Sequence, residues 1–353
     1  MWHLDIPCND ELRSLVELPG PVASIYLPTT PVSPQARKDA TVFRNLAEQV
    51  DQPEISEMLL DLVDDEPFWD SQAHGLGVIA NADRMWIYRL PHQVDEVVQV
   101  GTQAKILPLI GAASVIGSCH VLVLSEGAAR LIDVSADLPP QQVRVVDMPS
   151  DAASWAGKAS IADRSHSGRL VGSEGKKVHL RSYARGVDDA LRPLLHGDER
   201  PLVLVATAPI NRIFRSICSY PHLLADGVEA NAETWNDAEI AEAVRPVLES
   251  ASQARAADLA SLVSLRRGQK RVATDLADIA KAATAGAVDT LIVDRAANEG
   301  GSLDEAGNLV LEDGGVNVVD VVAARVLAQG GRVLALDAAE LPDGQTTAVL
   351  RWV

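Results

Sequence analysis

No apolar run in this chain continues past ten residues without a break, and two spacings alternate between the breaks. Short β-branched or aromatic runs such as Val22–Leu27, Gly75–Ala80, Met85–Leu90, Val121–Leu124, Leu202–Ala206 and Val288–Val293 read as strands. Between them lie helical spacings. Ala40, Phe43, Leu46, Ala47 and Val50 share one face, and so do Leu180, Tyr183, Ala184, Val187, Leu191 and Leu194. Strands and amphipathic helices in alternation each need a layer to bury against, which makes the chain a layered α/β protein. No run is long enough to cross a bilayer. At about 100–200 residues per domain, the 353 residues allow two or three domains, and 47% hydrophobic residues exclude general disorder.

Three α/β domains are expected, over residues 1–117, 118–260 and 261–353. In the first, Asn81-Ala82-Asp83 suits a hairpin turn, and a second helix is expected over Glu54–Val63. The second opens with a meander of Val121–Leu124, Ala129–Val134 and Gln142–Val146. A long aperiodic stretch from Ser150 to Lys176 follows, then an amphipathic helix over Val178–Leu195 and the strand Leu202–Ala206. Helix Ile210–Cys218 comes next. Thr234 or Asn236 is expected to cap a helix reaching Ala260, kinked at Pro246. In the third, Thr274 is expected to cap helix Asp275–Ala285, with Gly286 just beyond its end. Strand Val288–Val293, a small hairpin around Asn308, helix Val318–Ala328, Gly330-Gly331 and two last strands complete an α/β/α sandwich.

Several chemistries find no motif. Gly172-Ser173-Glu174-Gly175-Lys176-Lys177 approaches a phosphate-binding loop, but its first glycine is misplaced and Lys177 stands where Ser or Thr must bind magnesium. No GxGxxG follows a strand, and HExxH, GxSxG and an EF-hand loop are missing. None of the eight histidines lies at metal-ligand spacing from another or from a cysteine. Neither cofactor nor metal is therefore expected. Cys8, Cys119 and Cys218, odd in number and far apart, suit a reducing cytoplasm, and the first residues lack the pattern of a secretory signal.

The formal net charge is -18, which opposes non-specific binding of nucleic acid by the average surface. The cations are nevertheless concentrated. Lys158, Arg164, Arg169, Lys176, Lys177, Arg181 and Arg185 fall in one stretch whose only acids are Asp163 and Glu174. Lys177, Arg181 and Arg185, four residues apart, form one stripe on their helix. A Gly/Ser-containing basic segment that feeds a basic stripe suits a phosphate backbone, against the plainer reading of a solvated loop. Arg266, Arg267, Lys270 and Arg271 form a second island, or simply an exposed turn. Trp155 is the better candidate for stacking on a base, because Tyr183 belongs to the apolar face.

These residues carry a resemblance. Arg271–Val293, with its capped helix, Gly-Ala-Val and apolar strand, resembles the C-terminal domain of the class-1 release factors of archaea and eukaryotes and of Pelota. The second segment resembles their middle domain, in which a long loop precedes a basic helix. Ser219–Gly227 (SYPHLLADG) and Tyr26–Thr29 (YLPT) are similar to the bacterial archaeo-eukaryotic release-factor-like family. The likeness runs over residues 120–353 and is weaker over 1–115. The order of the second segment, three antiparallel strands, helix, strand and helix, resembles the ribonuclease H-like fold, and the third segment also resembles the ribosomal protein L7Ae superfamily. The release-factor likeness implies a ribosomal RNA partner and a translational GTPase partner. In release factors the long loop bears Gly-Gly-Gln, which sets a water at the peptidyl-tRNA ester. Residues 156–176 lack it, Arg267-Gly268-Gln269 comes far too late, and the codon-reading motif is missing. Thr274–Asp275 stands where L7Ae relatives carry the Asn-Glu pair that binds kink-turn RNA.

The resulting expectation is a non-catalytic, ribosome-associated factor acting in hibernation or rescue. Two alternatives remain open at this level. One is a metal-dependent RNA or phosphoester hydrolase, which would need a carboxylate pair such as Asp133 and Asp147. The other is a stand-alone protein-interaction module that uses the acidic surface.

Overall fold

The structure, a computed structural model, describes residues 7–31, 36–70, 72–114, 118–135, 138–156 and 173–352. It is mixed α/β, as expected. The chain forms two compact units, Met1–Val115 with Ala254–Val353, and Ile116–Gln253.

The first unit begins with α1 (Asn9–Val16), β1 (Val22–Pro28), α2 (Ala36–Ala47), α3 (Pro53–Val63), α4 (Glu66–Trp69), β2 (Gly75–Ala80), β3 (Met85–Leu90), β4 (Val97–Gly101) and α5 (Leu107–Ser114). Its sheet runs β3-β2-β1-β4, antiparallel throughout. The Asn81 side-chain Oδ1 accepts the N–H groups of Asp83 and Arg84 and so makes the expected hairpin turn. Strand β1 is buried on both faces. Ala23, Ile25 and Leu27 pack with Phe43, Leu59 and Trp69 of α2 to α4, whereas Val22 and Tyr26 face a second core.

The second unit contains β5 (Ser118–Leu124), β6 (Ala129–Ser135), β7 (Leu138–Val143), α6 (Ser173–Leu195), β8 (Leu202–Val205), α7 (Ile210–Arg215) and the beginning of α8 (Asp237–Gly268). The sheet order is β7-β6-β5-β8, a meander that β8 joins in parallel beside β5. Alternation along β5 divides the core. Leu122 and Leu124 meet Leu180, Tyr183, Val187 and Leu191 of α6, and Cys119, Val121 and Val123 meet Ile240, Val244 and Leu248 of α8. Three expectations change. The third strand is Leu138–Val143 rather than Gln142–Val146, because an edge strand tolerates Pro139 and Pro140, whose missing N–H groups the ladder does not use. Leu195, not Leu194, completes the apolar face of α6. Helix α8 continues through Pro246 to Gly268, and Asn236 caps it with Glu239 in a reciprocal box.

The remaining elements return to the first unit: β9 (Val272–Ala273), α9 (Leu276–Thr284), β10 (Val288–Asp294), β11 (Gly300–Leu303), β12 (Leu309–Leu311), β13 (Val316–Asn317), α10 (Val318–Ala328), β14 (Arg332–Leu336) and β15 (Thr347–Leu350). One sheet runs β14-β10-β15-β9 and a smaller one β12-β11-β13. Leu291, Val293, Val333 and Ala348 share a core with α9, α10, α5, α1 and the Tyr26 face of β1. Ile292, Leu334 and Val349 pack on the other side with Val263 of α8. The segments read as first and third domains thus bury one core together. Asp275, not Thr274, caps α9, its carboxylate accepting from the N–H groups of Ala277 and Asp278. Gly286 has φ +69, as suits the residue after a helix.

Candidate nucleic-acid interface

Helix α6 places the basic stripe. Its period buries Leu180, Tyr183, Ala184, Val187 and Leu191 against the sheet, and Lys176, Lys177, Arg181 and Arg185 are all exposed. Successive members of the four-residue series rise by about 6 Å along the axis. The charges therefore form a row rather than a cluster.

The row is framed by acids. Lys176 Nζ lies 2.8 Å from Glu126 Oε1 in the turn between β5 and β6. Both groups are largely exposed, so this ion pair is weak and can be exchanged for a phosphate. At the other end Arg192 reaches Asp188 and Asp189, each at 3.1 Å. Lys158, Arg164 and Arg169 lie outside the described residues.

The aromatic candidates separate. Tyr183 is fully buried, as expected of a core residue, and burial raises its phenol pKa. Trp155 lies against α6 at Gly186, where a Cβ would stand 2.6 Å from Trp155 Cζ2, and its Nε1 donates to Ser182 Oγ at 3.2 Å. The indole packs on the helix instead of standing free for a base.

The second island ends α8. Arg271 N–H bonds to Arg266 C=O, and Lys270 N–H to Arg267 C=O, with Lys270 at φ +58. Together these bonds make a Schellman turn. Arg267 and Lys270 are exposed, and Arg266 Nη1 donates to Gln269 Oε1 at 3.2 Å. The Arg271 guanidinium bonds the carbonyls of Leu350 and Arg351, tying the turn to the end of β15.

A polar network that the sequence did not suggest joins β5, β6 and the segment before β8 in the second unit. Arg200 donates to both Asp133 oxygens at 3.1 Å and to Asp198, whose carboxylate also lies 2.9 Å from His120 Nε2. Tyr220 Oη donates to the carbonyls of Asp198 and Arg200. Burial alone would raise the Asp198 pKa, but its bonds to His120 and Arg200 hold it well below the carboxylate range. The local cue was the turn His196-Gly197-Asp198-Glu199-Arg200; the pairing with Asp133, on another strand, left no trace in the order of residues.

Asp133 is thus matched by a guanidinium, and Asp147 sits in a turn at φ +59. Among the described residues, no group of three His, Cys, Asp or Glu side chains is arranged to hold a metal ion. The exposed row on α6 can bind anions. The Asp133 site, saturated by Arg200, is built for rigidity.

No helix among the described residues is long and apolar enough to cross a membrane. No curated protein matches the chain. Among solved structures, ribosome-bound archaeal Pelota (from a model with ABCE1) is 16% identical at TM-score 0.43, covering 99% of this chain and 95% of that one. Dom34 of S. cerevisiae, described as a translation termination-like factor interacting with Hbs1, is 11% identical at TM-score 0.43, covering 79% and 74%. The archaeal termination factor aRF1 is 11% identical at TM-score 0.23, covering 98% and 99%. Residues 117–254, which include the basic face of α6, match the model of the bacterial archaeo-eukaryotic release factor family 11.

Proposed function

We propose that this chain is a cytoplasmic, ribosome-associated factor that grips RNA phosphates through Lys176, Lys177, Arg181 and Arg185 and hydrolyses no ester. The observation that carries the reading is the exposed row of cations on α6, in a protein of net charge -18 and within the segment that matches a release-factor family. The missing Gly-Gly-Gln in residues 156–176 separates the factor from peptidyl-tRNA hydrolysis. Occupying a ribosomal site during hibernation or rescue needs only binding. Lys158, Arg164 and Arg169 extend the same contact, and Arg266, Arg267, Lys270 and Arg271 supply a second one. A translational GTPase is the protein partner that the release-factor resemblance implies for the C-terminal segment.

Cosedimentation with 70S ribosomes at low and moderate salt tests the reading. The wild-type chain is expected in the ribosomal pellet, and the variant with Lys176, Lys177, Arg181 and Arg185 changed to Ala is expected in the supernatant. These side chains are exposed, so the variant keeps its fold. Equal pelleting of the two proteins, or no pelleting of the wild type, overturns it.

A further inference from the structure

In the small sheet β12-β11-β13, β12 is an outer strand that no further strand pairs with among the described residues. Val310 and Leu311 are each 57% exposed, and Val316 is 48% exposed. Val310 and Leu311 belong to β12, and Val316 belongs to β13, the outer strand on the other side of β11.

The hydrogen bonds show which way the edge faces. Glu312 N–H bonds to Gly300 C=O, and Asp304 N–H to Asn308 C=O. In an antiparallel ladder bonded and non-bonded pairs alternate, so Ser302 and Val310, midway between, form a bonded pair. The N–H and C=O of Leu311 therefore point away from β11. Strand β12 is the outer strand of its sheet, and an outer strand with free backbone groups is a template for a further strand.

The edge is also held in place. Arg325 of α10 donates to the carbonyls of Leu303 and Asp304 and to Thr284 Oγ1. Asp304 binds both the backbone and the side chain of Asn308, and Asn317 bonds across the base to Ala297 and Glu299. A strand that adds here meets a preformed partner.

Charge selects what can add. Residues 299–316 contain Glu299, Asp304, Glu305, Glu312 and Asp313, and no Lys, Arg or His. Glu312 and Asp313, directly after β12, are exposed. A second copy of this chain would bring the same acids edge to edge, and RNA would bring phosphates. Both are repelled. We propose that β12 is a docking edge for an extended, cationic protein segment that pairs with the Leu311 backbone, covers Val310 and Leu311, and sets Lys or Arg against Glu312 and Asp313. The inference is independent of the RNA contact on α6.

The probe is a fluorescein-labelled peptide of alternating Lys and Val, titrated with the full-length protein and read by anisotropy. Saturable binding is expected. It should weaken about tenfold when Val310 and Leu311 are both changed to Ser. A similar loss is expected when alternate peptide nitrogens are methylated, because strand pairing needs those N–H groups. Changing Val146, an exposed apolar residue elsewhere, to Ser should leave binding unchanged. The proposal is overturned if the double variant binds like the wild type, if the methylated peptide binds as well as the parent, or if a Glu-Val peptide binds equally.

Discussion

Asp320 shows how one side chain joins distant parts of the sequence. It lies on α10, 5% exposed, and one of its oxygens accepts the N–H groups of Ile106 at 2.9 Å and Leu107 at 2.6 Å. A carboxylate more than two hundred residues away therefore serves the N-terminal end of α5. Desolvation raises its pKa from 3.8 to about 6, although the two N–H bonds oppose the rise. Between those values the folded protein holds a proton that the unfolded chain has released. Stability therefore falls as pH rises from about 4 to about 6, by about 3 kcal/mol when complete. Asp198 acts in the opposite sense. Its depressed pKa gives stability that is present above the ordinary carboxylate range and lost as pH falls below it. Asp320→Asn keeps an oxygen acceptor and removes the buried charge, so it should abolish the loss between pH 4 and 6. Asp320→Ala leaves two buried donors unpaired and should cost about 2 kcal/mol near pH 4, whereas above pH 6 the removal of the buried charge offsets that cost. Urea midpoints measured from pH 4 to 8 check both variants; parallel profiles for Asn and wild type would show that Asp320 does not titrate in this range.

At the scale of elements, the end of α8 makes its own prediction. Lys270 holds a left-handed conformation that favours glycine, because the Schellman turn requires it. Lys270→Gly should raise stability by about 0.5–1 kcal/mol, read as a higher urea midpoint with an unchanged slope. Where periodicity carried the information, the elements were legible in the sequence: β2 and β3 are as expected, and α6 buries Leu180 through Leu191 while it exposes Lys177, Arg181 and Arg185. Helix α5 was not legible. Leu107–Ser114 is buried almost all round, so it shows no amphipathic stripe, and its capping group comes from Asp320. Strand β7 was misplaced because its prolines argue against a strand, and only its place at a sheet edge permits them. The basic row on α6 was visible as spacing alone. The Asp133–Arg200–Asp198 network and the single core shared by residues 1–115 and 254–353 were not, because alternation shows that a residue is buried and not what it is buried against.

At the scale of the whole molecule, the opposition between total charge and local charge becomes a measurement. A net charge of -18 repels a polyanion at long range, and that repulsion is screened over about 8 Å at physiological ionic strength. Contact between the α6 row and phosphates acts at short range and releases counterions. The two effects respond to salt in opposite directions. Added salt relieves the repulsion and helps encounter, but it penalises each phosphate contact by close to one unit in the slope of log K against log salt. If the row supplies four contacts, changing Lys176, Lys177, Arg181 and Arg185 to Ala should make that slope less negative by about 3 units. The same change should remove most of the affinity at 50 mM salt. Any residual binding by the variant, through the cations of residues 158–169 and of the end of α8, should keep a shallower negative slope. Anisotropy titrations of a labelled ribosomal RNA fragment, at several salt concentrations and with both proteins, give the two slopes directly. A variant with the wild-type slope would place the phosphate contacts elsewhere on the molecule.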